Sequence, residues 1–243
     1  MDEGQEPPAR ARLVLGAHWG FLAFFGGLGG YYLVTILLTL LMPGEFGAFD
    51  PTDLPDAGPL VLLAFLPTLV LGLGPAIGSW LWGRGPRAEF GLLPTLRDLK
   101  VGLACGAVAL VAGYLASLVL LSFDGDGRGQ DDPVTELGDG SALGWRVLAA
   151  VIVVIAAPLG EELLIRGALW NALARHRVPE WTLVVLTAVV FAQLHGEPDR
   201  TVVLLVQGLA IGVARSVTGR CGASLVAHAA NNLPPAVLLF VGG

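Results

Sequence analysis

The sequence predicts an all-α integral membrane protein, a polytopic bundle of about seven transmembrane helices. Hydrophobic residues make up 54% of the 243 residues and charged residues only 14%, at a mean hydropathy of +0.71. A soluble domain usually carries about 25% charged residues. The hydrophobic residues also fall in long runs, a pattern that indicates membrane-spanning helices instead of a soluble core.

Seven apolar segments predict the helices in order. The first follows Arg10 and Arg12 and runs for 29 residues, longer than the apolar part of a cleavable signal peptide, so we expect it to stay in the membrane. The fifth is short for a crossing of about 20 residues and is expected to stop inside the membrane or to tilt into a cavity. The segments cover residues 14–42, 59–82, 99–122, 144–174, 181–195, 201–218 and 222–241.

The loops between these segments alternate in charge. Basic residues precede the first segment and occupy the second, fourth and sixth loops, whereas acidic residues dominate the first and third loops. Because basic loops stay on the cytoplasmic side, we expect a cytoplasmic N-terminus and an outer C-terminus. We also expect an integral protein of a bacterial-type plasma membrane. The basic residues are Arg10, Arg12, Arg84, Arg87, Arg97, Lys100, Arg175, Arg177, Arg215 and Arg220, and the acidic ones include Glu45, Asp50, Asp53, Asp56, Asp124, Asp126, Asp131, Asp132, Glu136 and Asp139.

Composition also narrows the partners. The chain has no basic footprint for nucleic acid, and Cys105 and Cys221 match neither a disulfide framework nor a zinc-finger spacing. Pairs at Gly-x-x-x-Gly spacing, such as Gly208 and Gly212, allow helices to approach closely. We expect these close contacts between the helices of one bundle that is surrounded by membrane lipids, or alternatively between the copies of a homo-oligomer.

Polar residues inside the apolar segments are concentrated in the second half of the chain. A charged side chain at the bilayer centre costs about 2.5–3.5 kcal/mol, and such groups usually face a bundle interior or a water-filled cavity. Structure alone gives no reason to keep that cost, so the residues indicate a site. The candidates are Glu161, Glu162, Arg166, His195, His228, Asn231 and Asn232.

Helical spacing arranges the charged candidates. Glu162 and Arg166 are four residues apart and can pair on one face, whereas Glu161 is rotated by about 100° and has no partner one turn away. Pro158 lacks a backbone N–H and is predicted to kink the helix and leave the carbonyl of Val154 unbonded. The pairs Phe191/His195 and His228/Asn232 have the same four-residue spacing, so each presents one face to a common interior.

Three motifs in this half carry a resemblance. EELLIR, FAQLH and HAANN are similar to the EExxxR, FxxxH and HxxxN motifs of the CPBP family, which comprises CaaX prenyl endopeptidases and bacteriocin-processing or immunity proteins. The resemblance covers about residues 144–241, and only Ile165 departs from it, where the family often has an aromatic residue. It implies an intramembrane endopeptidase, with residues 1–143 as N-terminal helices and 144–243 as the catalytic core. The functional positions it implies are Glu161, Glu162, His195, His228 and Asn232, and Arg166 of the first motif is counted with them as a site residue.

Two mechanisms of amide hydrolysis fit these positions. In one, Glu161 and His195 hold and deprotonate a water while His228 and Asn232 stabilise the oxyanion. In the other, Glu161, His195 and His228 bind Zn²⁺ and the metal activates the water. We favour this second mechanism, because two histidines and a carboxylate are an ordinary catalytic zinc set. Arg166 is expected to orient Glu162.

Two other functions use the same residues. Buried Glu, Arg and His also form ion or proton pathways in transporters, although those usually show repeats and broken helices that this chain lacks. A non-catalytic membrane partner or bacteriocin self-immunity protein could use the bundle as a scaffold. The preferred hypothesis is an endopeptidase acting on a membrane-associated, possibly prenylated, peptide or membrane-protein substrate.

Overall fold

The computed structural model describes residues 19–42, 59–123 and 143–240, and every regular element in these residues is helical. The predicted all-α membrane bundle is confirmed. Arg10, Arg12 and the acidic residues of the first and third loops lie outside the described residues. The helices are α1 Gly20–Leu41, α2 Pro59–Leu71, α3 Leu73–Trp82, the short α4 Pro86–Glu89, α5 Leu96–Phe123, α6 Leu143–Arg175, α7 Glu180–Leu194, α8 Thr201–Thr218 and α9 Cys221–Leu238.

Five helical stretches of the described residues are long and apolar enough to cross a membrane. The apolar α7 is not one of them, because its 15 residues give a length of about 22 Å against a hydrocarbon core of about 30 Å. The 18 residues of α9 include a histidine and two asparagines, and this helix is not among the five either. The five stretches are Gly20–Leu41, Phe65–Trp82, Leu96–Ser122, Leu143–Arg175 and Pro198–Thr218.

Helix α6 contains two π-helical stretches. They comprise Ile152–Ala156 and Leu163–Leu169, and they flank the α-helical turn Ala157–Glu162 that carries both glutamates. In a π-helix each N–H donates to the carbonyl five residues earlier, so a short stretch shifts the faces of all residues that follow it. The first stretch therefore sets the faces of both glutamates relative to the start of α6, and the second shifts the residues that follow them.

Pro158 removes one backbone hydrogen bond of α6, but the carbonyl that loses its donor is that of Val153 and not the predicted one of Val154. The N–H of Ala157 donates to the carbonyl of Ile152 in the five-residue register. In that register Pro158, which has no N–H, leaves the carbonyl of Val153 without its backbone donor. Nδ2 of Asn232 donates to this carbonyl at 3.0 Å. The prediction named Val154 because it assumed the four-residue register of an α-helix.

Glycines allow close contacts between helices of the same bundle. A Cβ added to Gly106 of α5 would lie 2.8 Å from the carbonyl oxygen of Ala227 in α9, and one added to Gly208 of α8 would lie 3.0 Å from the ring of Phe191 in α7. Gly106 and Gly208 thus pack within the chain, whereas a Cβ added to Gly26 would meet nothing within 4 Å, and a homo-oligomer stays a prediction. The main buried cluster lies where α1, α6, α7 and α9 meet.

The segment between α3 and α5 packs against the start of α9. Phe90 is completely buried, and its carbonyl accepts a hydrogen bond from the backbone N–H of Cys221 at 2.8 Å. Asp98 accepts from Thr95 in a capping arrangement at the start of α5 and from Nε of Arg220 at 2.9 Å. These bonds fix the start of α9, two helical turns before its histidine.

Candidate active site

Glu162 is the centre of a buried polar cluster. Its side chain is completely buried, and Oε1 accepts hydrogen bonds from Nη1 of Arg166 at 3.0 Å and from Nδ1 of His228 at 3.1 Å. The helical register of α6 supplies Arg166 one turn later, and the packing of α9 against α6 supplies His228. These two donors compensate for the free-energy cost of burying the carboxylate, which would be large without them.

The guanidinium of Arg166 is held from three directions. Besides Glu162, it donates from Nη2 to the carbonyl oxygen of Gly208 at 3.0 Å and lies 4.9 Å from the ring centroid of Phe191. The missing side chain of Gly208 lets α8 pack closely against Phe191 and Ala188 of α7. Arg166 is therefore locked in place and holds Glu162 in one orientation.

Glu161 faces the second nitrogen of the same histidine. Its Oε2 is buried and has no hydrogen-bond partner among the described residues. Nε2 of His228 lies 3.8 Å from this oxygen, too far for a direct hydrogen bond. His228 consequently stands between the two glutamates, with one ring nitrogen bonded to Glu162 and the other near Glu161.

His195 joins the cluster through Phe191. Its Nδ1 lies 2.8 Å from the carbonyl oxygen of Phe191, which can only accept, so Nδ1 carries the proton and Nε2 is the free acceptor of the neutral ring. The Phe191 ring packs edge-on against both imidazoles, with centroid distances of 4.6 Å to His195 and 5.3 Å to His228. No hydrogen bond among the described residues joins His195 to either glutamate.

Asn232 bonds to the backbone of α6 and not to the glutamates. Its Nδ2 donates to the Val153 carbonyl, and its Oδ1 accepts from Nδ2 of Asn231 at 3.2 Å. His228 and Asn232 therefore contact α6 at two different levels, His228 at the glutamates and Asn232 at Val153. At its level Asn232 supports the π-helical stretch that precedes the glutamates.

Comparison with known proteins identifies this part of the chain. Residues 143–234 match the family model of the type II CAAX prenyl endopeptidase Rce1-like proteins. This segment is an Rce1-like domain. The match confirms the resemblance to the CPBP membrane proteases that the three motifs indicate. No curated protein and no solved structure matches the chain.

The predicted zinc ligands are not gathered around one position in the described residues. Among the described residues no three His, Cys, Asp or Glu side chains are grouped so that they could hold a metal ion. Of the predicted ligands, Glu161 and His228 are close to each other, but no described contact joins His195 to either of them. Zinc binding by Glu161, His195 and His228 therefore stays a prediction, and the mechanism below is derived from the side chains alone.

A second buried arginine supports the Rce1-like domain from α8. Arg215 is only 5% exposed, and it donates from Nε to the backbone carbonyl of Arg166 at 3.2 Å and from Nη2 to Oδ1 of Asn171 at 3.1 Å. Its guanidinium also lies 5.5 Å from the ring of Trp170. The prediction that Arg215 is a loop charge was wrong, because the residue is buried in the last turn of α8. Its place at the end of an apolar segment was a signal of this burial.

Proposed function

We propose that this chain is an intramembrane endopeptidase that hydrolyses a peptide bond in a membrane-associated substrate. The observation that carries the proposal is the position of His228 between two glutamates, of which Glu162 is bonded through Oε1 to Arg166 and His228, whereas Glu161 makes no hydrogen bond with the described residues. A purely structural ion-pair network has no use for the second carboxylate. The match of the segment to a prenyl endopeptidase family supports the same reaction class.

Glu162 fixes the tautomer of His228. An ionised carboxylate only accepts hydrogen bonds, so Nδ1 of His228 carries the proton in this contact and Nε2 remains an acceptor. Glu162 is in turn held by Arg166 and cannot rotate away. The arrangement resembles the way in which a carboxylate orients the catalytic histidine of a hydrolase triad.

Glu161 is the general base of the proposed reaction. A water molecule bound by Oε2 of Glu161 and Nε2 of His228 loses a proton to Glu161 as its oxygen attacks the scissile carbonyl carbon. The tetrahedral intermediate then breaks its C–N bond, and the proton on Glu161 passes to the leaving amine. Atoms and charges balance, because one water is consumed and the carboxylate is regenerated. The geometry favours His228 over His195 as the partner of Glu161 at this water, because Nε2 of His228 lies 3.8 Å from Oε2 of Glu161, whereas no described contact joins His195 to a glutamate.

The substrate class follows from the surroundings. Only 14% of the Glu161 side chain is exposed, and Glu162 is not exposed at all, within helices that are long and apolar enough for a membrane. A peptide held at the membrane by a lipid or an adjoining apolar segment reaches such a site more readily than a freely soluble peptide. We propose a lipid-proximal peptide, including the prenylated type named in the family description.

Cleavage by purified protein tests the proposal. Glu161→Gln and His228→Ala are each expected to lower the cleavage rate of a prenylated reporter peptide in micelles by about 10²–10⁴-fold, the usual contribution of a general base or its partner. Glu180→Gln at the start of α7 makes the same chemical change away from the site and is expected to cleave like the wild type.

The other functional classes give a different result. A transporter or an immunity scaffold would show no cleavage by the wild type under any of these conditions. Undiminished cleavage by Glu161→Gln would instead leave the protease assignment standing and remove Glu161 as the base. His195→Ala belongs in the same assay, because its free Nε2 could still bind substrate or water.

A further inference from the structure

Helix α1 packs against α6 although it lies outside the residues that match the family model. A Cβ added to Gly20 would lie 2.8 Å from the Cβ of Ala172, and one added to Gly27 would lie 2.7 Å from Cδ1 of Leu164. As α1 advances by seven residues, its partner on α6 moves back by eight. The two helices are therefore antiparallel and keep an almost constant register.

This register places Tyr31 opposite Glu161. Tyr31 follows Gly27 by four residues, one turn along the same face of α1, so its partners lie about one turn before Leu164 on α6. Gly160 lies at that level too, but it faces the carbonyl of Thr68 in α2. Glu161 is consequently the residue that α6 presents to α1 there.

Two further observations agree with this placement. The side chain of Tyr31 is partly buried and packs against the central cluster that contains Leu164. The charge of Glu161 acts electrostatically on the Tyr31 phenol. Tyr31 uses its backbone carbonyl to accept from Thr35 at 3.0 Å, whereas its hydroxyl makes no hydrogen bond with the described residues.

The site otherwise has few donors for a developing oxyanion. The two carboxylates only accept, Nδ1–H of His228 is bonded to one of them, and Nδ2 of Asn232 already donates to the backbone. The unused Nε of Arg166 belongs to a completely buried guanidinium. Hydrolysis of an amide needs a donor aimed at the carbonyl oxygen, since that oxygen becomes negative in the transition state.

We infer that Tyr31 is a further catalytic residue, whose hydroxyl donates a hydrogen bond to the carbonyl oxygen of the scissile peptide bond while Glu161 activates the water. The inference rests on the proposed function. It makes the first transmembrane helix part of the active site and places the scissile carbonyl between α1 and α6. The phenol remains protonated throughout and only strengthens its hydrogen bond as the oxyanion forms.

Tyr31→Phe tests this role against a neighbouring control. The variant keeps the ring and removes only the hydroxyl, so kcat is expected to fall by about 10²–10³-fold, as on loss of an oxyanion donor, with little change in KM or melting temperature. Tyr32→Phe makes the same change on the adjacent residue, which is 54% exposed, and is expected to retain wild-type kcat.

A thioamide at the scissile bond separates catalysis from packing. Sulfur accepts hydrogen bonds more weakly than oxygen, so the thioamide is expected to slow the wild type by a larger factor than it slows Tyr31→Phe. Equal slowing of both proteins, or a wild-type kcat for Tyr31→Phe on the amide, would overturn the inference while leaving the peptidase function intact. Absence of cleavage by the wild type would overturn the proposed function, and this inference with it.

Discussion

Replacement of Arg166 by methionine should destabilise the protein strongly. The Nη1 of Arg166 and Oε1 of Glu162 are 3.0 Å apart, and both side chains have 0% exposure. Removing one partner of a buried ion pair costs about 3–5 kcal/mol, because the remaining charge stays desolvated. After the substitution Glu162 keeps only the bond from His228, so we expect a loss of unfolding free energy in that range.

A second ion pair provides the control. Nη1 of Arg200 lies 2.7 Å from Oε2 of Glu197, closer than in the buried pair, but the two side chains are 27% and 28% exposed. Exposed pairs contribute about 0–1 kcal/mol because water and salt screen the charges. Distance alone predicts the larger loss for Arg200→Met, whereas burial predicts it for Arg166→Met.

The measurement is the unfolding free energy in mixed micelles, from denaturant titrations of the helical signal. The double variant Glu162→Gln/Arg166→Met removes both charges, so its loss is expected to be smaller than the sum of the single losses by about 0.5–3 kcal/mol. Cleavage should fall in Arg166→Ala and recover only in part in Arg166→Lys, because an ammonium cannot reproduce the guanidinium fork. Equal losses for Arg166→Met and Arg200→Met would refute the reasoning.

Four other predictions concern the supports of the site, the metal and the topology. Asn232→Leu should lower the unfolding free energy by about 1–3 kcal/mol, and by less in a Pro158→Ala background that returns the backbone N–H; equal losses would contradict the assigned bond. Arg215→Met should lower kcat by up to about 10²-fold, because α6 would be misplaced. Arg97→Met, at an exposed arginine, should leave kcat unchanged. An unchanged kcat in both variants would show that Arg215 does not position the site. Cleavage should survive a strong chelator, and a loss that Zn²⁺ restores would return the zinc mechanism to first place. A reporter at position 130 should read as outside the cytoplasm, and a cytoplasmic signal would contradict the charge argument.

Local features of this chain could be predicted from the sequence. Hydropathy locates the helices, because in a membrane the backbone polar groups of an apolar segment must form their hydrogen bonds within that segment. The pair of Glu162 and Arg166 was predictable for a similar reason, since four residues of one helix bring them to one face. The three motifs also indicate the family, because they depend only on residue types and spacing within single helices.

Contacts between helices could not be read from spacing. His228 reaches Glu162 across 66 residues, and its four-residue relation to Asn232 gave no sign that Asn232 would bond to the Val153 carbonyl instead. The π-helical register that exposes this carbonyl depends on how α6 packs. Arg215 looked like a loop charge because a sequence does not reveal which neighbours cover the end of a helix.

The sequence by itself determined an all-α membrane bundle, the family of its second half and the ion pair within α6. Only the tertiary structure decided which nitrogen of His228 faces which glutamate, and it brought the first helix to the site. The physical reason is that hydropathy and helical periodicity act within one segment, over a few residues. The faces that segments present to one another depend instead on close packing, here on glycines such as Gly27 and Gly208 and on the π-helical shifts of α6.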